Sequence, residues 1–160
     1  MAEQVSDLIC APLVFQCYSR LVVECNRRWT APDIVAAVSD GTPVPANIGV
    51  GEAERERRIE EIFVPYHREI ARRLAQPARD GTPTVLVSMH SLTPSLLSAP
   101  APRPWQIGVC YETNDALSHC ILKVLETEPG LNVGNNQPYG VDVETSYSVP
   151  VYGEIGRAHV

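Results

Sequence analysis

The chain has 160 residues, a formal net charge of −6 and 44% hydrophobic residues. This length and composition indicate one globular domain, or most of one, and exclude a disordered, collagen-like or coiled-coil chain. No apolar run approaches the roughly 20 residues of a membrane span, and residues 1–4 lack the basic start of a secretory signal. The acidic balance without a basic stripe also argues against nucleic acid as a partner. We therefore expect a cytoplasmic protein, with its five cysteines reduced.

The first half of the chain predicts one long helix among shorter elements. A short helix is expected over residues 2–11, and β-rich runs at residues 13–17 and 21–25 predict strands. From residue 52 to about residue 76, apolar residues recur at helical spacing. Pro65 lies inside this stretch, so we expect a kink or a split there. The helix is predicted to pack on a sheet through Ile59, Ile62, Phe63 and Ile70.

The second half predicts alternating strands and helices. Asn114 and Asp115 are expected to cap a helix over residues 116–126. Short apolar runs predict four further strands, at residues 84–89, 105–111, 131–133 and 147–151. This alternation favours an α/β fold, with three α/β/α layers around a mixed, largely parallel sheet.

Asn26 and Arg27 follow the predicted strand over residues 21–25. Ligands of open α/β sheets bind at the carboxyl ends of strands. The Arg guanidinium is a rigid fork of donors that matches a carboxylate, and the Asn amide can add another donor. The pair is therefore a candidate anchor for an acidic substrate. A solvated Arg beside a turn-forming Asn is the alternative.

His90 follows the predicted strand over residues 84–89 and precedes Ser91. There it could present an imidazole nitrogen to zinc from a rigid support, or it could be a hydrogen-bonded structural residue. The spacings HxxE, HxxxH and HExxH are absent, and so is the nucleophile elbow GxSxG. His67, on the predicted long helix, is expected to be structural. The residues alone leave the catalytic group unassigned.

Five short segments, taken together and in order, resemble the N-formylglutamate amidohydrolases. They are Tyr18-Ser19-Arg20-Leu21-Val22-Val23-Glu24-Cys25-Asn26-Arg27, Pro65-Tyr66-His67, Ser88-Met89-His90-Ser91-Leu92-Thr93-Pro94, Arg103-Pro104-Trp105-Gln106-Ile107-Gly108-Val109 and Asn136-Gln137-Pro138-Tyr139. The resemblance extends over nearly the whole chain. More distantly, Asn-Arg followed by His-Ser is similar to zinc carboxypeptidases and aspartoacylase-type amidases.

The resemblance implies a zinc-dependent hydrolase that releases formate and L-glutamate from N-formyl-L-glutamate, a reaction of histidine degradation. It implies a fold of the phosphorylase/hydrolase-like kind, incomplete in this chain. It implies that Asn26 and Arg27 hold a substrate carboxylate and that His90 is one zinc ligand, so we expect the three side chains to converge on one cleft at the carboxyl ends of strands. The expected mechanism is attack of zinc-bound water on the formyl carbon, with a carboxylate moving protons. An aspartoacylase- or carboxypeptidase-like hydrolase of another N-acyl amino acid is one alternative. A binding fragment that retains only the carboxylate anchor is the other.

The chain also departs from the family pattern. The family's other two zinc ligands, a His and a Glu, lie upstream of the Asn-Arg pair, and no His precedes Asn26. The segment expected to carry the general base is absent, Glu24 replaces an Asp, and Tyr152 aligns with a family His. We therefore expect residues 1–153 to be a partial domain, truncated at both ends. Residues 154–160 match the translation of a sequencing adapter, or they form an ordinary surface tail.

Overall fold

The computed structural model describes residues 1–112, 116–142 and 146–156. The helices of these residues are α1 (Ala2–Leu8), α2 (Glu52–Arg58), α3 (Val64–Arg79), α4 (Ala116–Leu125) and α5 (Ser148–Gly156). The strands are β1 (Val38–Ser39), β2 (Thr42–Pro43), β3 (Ile107–Val109) and β4 (Val133–Asn135). A 3₁₀ turn covers Pro45–Asn47. None of the described helices has the length and apolar character needed to cross a membrane.

The predicted long helix is present and is interrupted near Pro65. Helices α2 and α3 are joined without a break by a π-helical turn over Ile59–Phe63. Pro65 lies in the first turn of α3. It has no backbone N–H, so the regular α-helical hydrogen bond to the residue four positions earlier cannot form. The wider π turn directly before it accommodates this loss. The regular α-helical geometry is interrupted here while the helix stays continuous, so the predicted split is wrong.

The apolar face of this helix is buried, but not on a sheet. Ile59 and Phe63 pack in one cluster with Val23, Cys25 and Ile34, and Ile62 is half-buried at its edge. The predicted burial of Ile70 is also confirmed. The surface that receives the helix is the irregular segment of residues 23–35. The prediction of packing on a sheet is therefore wrong.

The strands predicted at residues 13–17 and 21–25 are also wrong, because both stretches are irregular. Turn hydrogen bonds occupy the backbone of the second one: the Val22 N–H donates to the Ser19 carbonyl at 2.9 Å. The Glu24 N–H donates to the Ile34 carbonyl at 2.8 Å, which joins the two ends of the irregular segment of residues 23–35. In the second run, Val23 and Cys25 are apolar because they pack against the long helix. Periodicity alone does not distinguish such a run from a strand.

Two small sheets are present. Strands β1 and β2 form an antiparallel hairpin. Asp40 and Gly41 form its two-residue turn, both with positive φ (48° and 75°), as a type I′ turn requires. Strands β3 and β4 pair in parallel, with Gly108 opposite Gly134, and α4 lies between them in the chain.

The α/β class and helix α4 are thus confirmed, and the strands predicted at residues 105–111 and 131–133 are confirmed in part. The three-layer arrangement is not confirmed, because the strands of the described residues form only two-stranded sheets. Asn114 and Asp115, the predicted cap of α4, lie outside the described residues.

The last two strand predictions fail for different reasons. Residues 84–89 do not belong to a sheet, and Val85 and Val87 are 46% and 51% exposed. Their alternating exposure is that of a half-covered extended segment, not of a buried strand. Residues 148–151 are instead the start of helix α5. A run of five residues is too short to show whether its apolar positions recur with the period of a strand or with that of a helix.

Candidate substrate-binding site

The segment that carries Asn26 and Arg27 is held by Glu24. The Glu24 carboxylate accepts hydrogen bonds from Arg20 Nε and, at 3.1 Å, from the Asn26 backbone N–H. The Arg27 N–H donates to the Glu24 carbonyl at 3.2 Å. The Glu24 carboxylate thus closes the turn on which both candidate residues are placed.

The side chain of Asn26 caps helix α5. Its Oδ1 accepts hydrogen bonds from the backbone N–H groups of Tyr147 and Ser148, both at 3.1 Å. The first N–H groups of a helix have no partner within the helix, and a side-chain oxygen satisfies them. With Oδ1 used in this way, an anion near Asn26 would have to accept from Nδ2. This cap across the fold was not predicted from the sequence.

Arg27 is close to a carboxylate of its own chain. Its Nε lies 3.4 Å from Asp33 Oδ2, and the two side chains are 29% and 54% exposed. Ion pairs at this degree of exposure contribute about 0–1 kcal/mol. A competing carboxylate could therefore displace Asp33 at little cost. The geometry shows that the Arg27 guanidinium can be reached by a carboxylate.

His67 is the centre of a buried aromatic cluster behind this segment. We call His67, Cys25, Phe63, Tyr147 and Tyr152 the His67 cluster. The Nε2–H of His67 donates to the Cys25 carbonyl at 2.8 Å, and the Tyr152 hydroxyl lies 3.2 Å from both Nδ1 and the carbonyl oxygen of His67. The rings of Phe63 and Tyr147 lie 4.1 and 4.6 Å from its ring centre. A neutral imidazole with its proton on Nε2 fits these contacts.

The electrostatics of the His67 cluster agree with that tautomer. Burial lowers the pKa of His67 below its ordinary value of 6.5. Burial also raises the pKa of Tyr152 to about 12, so the hydroxyl keeps its proton and can donate it. The structural role predicted for His67 is confirmed: it fixes the carbonyl of the residue before Asn26.

His90 lies on the exposed extended segment, and its Nε2 is 2.9 Å from Ser88 Oγ. Over residues 1–112, 116–142 and 146–156, no group of three or more His, Cys, Asp or Glu side chains could hold a metal ion. A catalytic zinc requires about three protein ligands. The side chains of the described residues therefore do not fit a zinc site around His90.

Arg103 is a candidate residue to which the sequence alone assigned no role. We call Arg103, Thr93, Pro94 and Tyr139 the Arg103 cluster. The guanidinium donates to the Tyr139 hydroxyl at 2.7 Å and to the Thr93 carbonyl at 3.4 Å. The Arg103 N–H also donates to the Pro94 carbonyl at 2.8 Å. Three of the five family-like segments meet here. In the sequence, the presence of these segments in the same chain was the only signal that could have pointed to Arg103.

Two paired glycines support the Tyr139 side of this cluster. A Cβ placed on Gly108 would lie 2.1 Å from the Gln137 carbonyl oxygen, and one on Gly134 would lie 2.6 Å from it. Only glycine allows a backbone to approach this closely. The chain after β4 can therefore fold down over both strands, and it carries Tyr139 to Arg103.

The structure thus places the three predicted site residues in different contacts. Asn26 contacts the start of α5, Arg27 contacts Asp33, and His90 contacts Ser88. Their convergence on one cleft stays a prediction. His159 and the end of the tail lie outside the described residues.

The fold and these contacts define an α/β protein with two guanidinium groups presented by loops, one at the turn after residue 25 and one beside β3. The model of the family described as N-formylglutamate amidohydrolase matches residues 1–159. The chain belongs to the N-formylglutamate amidohydrolase family.

A solved structure is similar to this chain. It is the crystal structure of gene product Atu2144 from Agrobacterium tumefaciens, which is similar to this chain with a TM-score of 0.78 and 32% sequence identity. The similarity covers 87% of this chain and 54% of that chain. This chain thus spans little more than half of that protein. Among curated proteins, no match was found.

Proposed function

We propose that this protein is an amide hydrolase that releases formate and L-glutamate from N-formyl-L-glutamate, and that Arg27 and Asn26 bind one carboxylate of the substrate. The family match supports the reaction class. The observation that carries the role of Arg27 is its contact with the displaceable Asp33 carboxylate, at 3.4 Å. Asp33 occupies the position in which a substrate carboxylate would accept from the guanidinium.

The neighbouring contacts support this role by holding the two donors in place. Glu24 closes the turn, and His67 holds the Cys25 carbonyl directly before Asn26. A donor that is fixed before the ligand arrives loses less conformational entropy on binding. The Asn26 Nδ2 is turned away from α5, because Oδ1 faces the Tyr147 and Ser148 N–H groups. It can serve as the second donor.

His90 stays our proposed zinc ligand. The described residues contain no metal-binding group of three side chains, so we assign no step of the reaction to zinc. A cytoplasmic location, a role in histidine degradation and a three-layer fold of the whole protein belong to the same proposal. We also propose that the partner is a small acidic N-acyl amino acid, and that the protein binds neither nucleic acid nor a membrane.

A second candidate function is binding without catalysis. The lack of a metal-binding group among the described residues favours it for this polypeptide by itself. The polypeptide would then bind the acidic ligand but release no formate. The alternative substrate is a different N-acyl amino acid, as in aspartoacylase-like enzymes. Comparing the binding of N-formyl-L-glutamate with that of N-acetyl-L-glutamate tests this alternative, because a formyl group needs almost no room and an acetyl group needs more.

The test is a calorimetric titration of the chain with N-formyl-L-glutamate. We expect saturable binding that Arg27→Ala weakens about 10- to 100-fold, because a hydrogen bond to a charged group is worth about 1.5–3 kcal/mol. The matched control is Arg73→Ala, which removes the same charge from an arginine paired with Glu69 at 2.8 Å on α3. Equal affinity in Arg27→Ala and Arg73→Ala would contradict the assigned role.

A further inference from the structure

Arg103 is a half-buried cation without an acidic partner. The ion-paired arginines of the long helix contact glutamates three or four residues away. For Arg103, no carboxylate of the described residues lies within ion-pair distance. Its guanidinium is held by a phenol and a carbonyl, and its carbon lies 4.8 Å from the centre of the Tyr139 ring.

The hydrogen bonds of the Arg103 guanidinium lie at the surface, where an anion from solvent can reach it. Neutral acceptors satisfy only part of the donor set of Arg103, which has five N–H groups in a fixed fork. The side chain is therefore arranged to accept an anion. Carboxylates fit this fork with two parallel hydrogen bonds.

The acid that acts on Arg103 from a longer distance is already engaged. The Asp40 carboxylate accepts hydrogen bonds from the Leu97 and Ser98 N–H groups at 2.7 and 3.0 Å. It also accepts one from Ser98 Oγ at 2.8 Å. Asp40 thus joins the β1–β2 turn to residues 97–98, and it does not neutralise Arg103 by direct contact.

Both sides of the guanidinium are held in place. On one side, the guanidinium donates to the Thr93 carbonyl at 3.4 Å, and the backbone N–H of Arg103 donates to the Pro94 carbonyl, four residues after His90. On the other side, Tyr139 is carried by the chain that rests on Gly108 and Gly134. Such preorganisation lowers the entropic penalty of anion binding.

We propose that Arg103 is a second carboxylate-binding side chain, which takes the substrate carboxylate that Arg27 does not hold. The inference rests on the proposed function, because it concerns the second acidic group of the same dicarboxylic N-acyl amino acid. Tyr139 is a positioning residue that orients the guanidinium. The segment of residues 90–94 connects this anion site to the proposed zinc ligand.

The test compares three probes: N-formyl-L-glutamate, N-formyl-L-glutamine, which lacks the side-chain carboxylate, and 4-formamidobutanoate, which lacks the α-carboxylate. Each is titrated into the wild-type chain, Arg27→Ala, Arg103→Gln, Arg103→Lys and Tyr139→Phe. We expect Arg103→Gln to weaken the dicarboxylate and one of the monocarboxylates about 10- to 100-fold. Arg27→Ala should weaken the dicarboxylate and the other monocarboxylate. Arg103→Lys should give a smaller loss, since it keeps the charge without the fork.

The matched control is Arg79→Gln. Arg79 is an exposed arginine at the end of α3 that donates to Gln76 at 2.7 Å, and the substitution makes the same charge change. Thermal unfolding of each variant checks the fold. If Arg103→Gln binds all three probes like the wild-type chain while Arg27→Ala does not, the inference fails and the proposed function stands. If Arg27→Ala binds all three probes like the wild-type chain while Arg103→Gln does not, the proposed role of Arg27 fails. Absence of binding to the wild-type chain would contradict both.

Discussion

The region of residues 12–81 and the region of residues 82–142 are built in different ways. In the first, the long helix packs on the irregular segment of residues 23–35, and five side chains share one buried cluster. In the second, β3 and β4 are three residues long, and Val109 and Leu122 are its buried apolar side chains among those described. Residues 84–89 remain extended beside them with valines exposed.

The difference shows which structures a stretch of chain can complete by itself. A helix satisfies its own backbone and needs only one apolar surface to cover its face. A strand needs a neighbour for every N–H and C=O group, as well as cover on its faces. The first region therefore has a core of its own, whereas the second carries two side chains for which we propose ligand contacts, His90 and Arg103. We expect stability to depend on the first region and anion recognition to depend on both.

The largest effect on stability should come from the core of the first region. Phe63 is 4% exposed in the buried cluster, so Phe63→Ala should lower the free energy of unfolding by about 3–5 kcal/mol. Val87 is 51% exposed, so Val87→Ala should change it by less than about 0.5 kcal/mol. Urea unfolding measures both. Comparable losses would show that residues 84–89 are buried and that the comparison of the two regions is wrong.

A smaller effect is expected where β3 and β4 meet. Gly108→Ala places a Cβ against the Gln137 carbonyl oxygen, which must move, so we expect a loss of about 1–3 kcal/mol. Gly140→Ala is the control, because nothing lies within 4 Å of the added Cβ. The first variant should also weaken N-formyl-L-glutamate binding through Tyr139. Unchanged unfolding in both variants would mean that the chain does not rest on Gly108.

The pH dependence of stability should come partly from His67. Burial lowers its pKa in the folded chain below the ordinary 6.5. As pH falls below 6.5, the unfolded chain takes up a proton before the folded one does, so stability falls. The slope from one such proton is at most about 1.4 kcal/mol per pH unit. His67→Gln should remove this slope, whereas the exposed His90→Gln should keep it. An equal slope in the wild-type chain and in His67→Gln would place the titration elsewhere.

The sequence predicted those features whose signal is local. Helical periodicity identified the long helix and its buried face, and Pro65 identified its interruption. The short apolar runs were misassigned because a run of five residues is equally compatible with a turn, a strand or a helix end. The Asn26 cap of α5 joins residues about 120 positions apart, and no local pattern encodes such a contact. The hydrogen bond from Arg103 to the Tyr139 hydroxyl, 36 positions further along the chain, is likewise not encoded by a local pattern.

We propose that this polypeptide recognises carboxylates, and its described residues lack a complete zinc site. The most direct test measures retained zinc and formate release in one dialysed preparation supplied with N-formyl-L-glutamate. We expect weak zinc binding and little or no formate, since a single imidazole is far from the three ligands of a catalytic zinc. Stoichiometric zinc together with turnover that His90→Ala abolishes would contradict the claim.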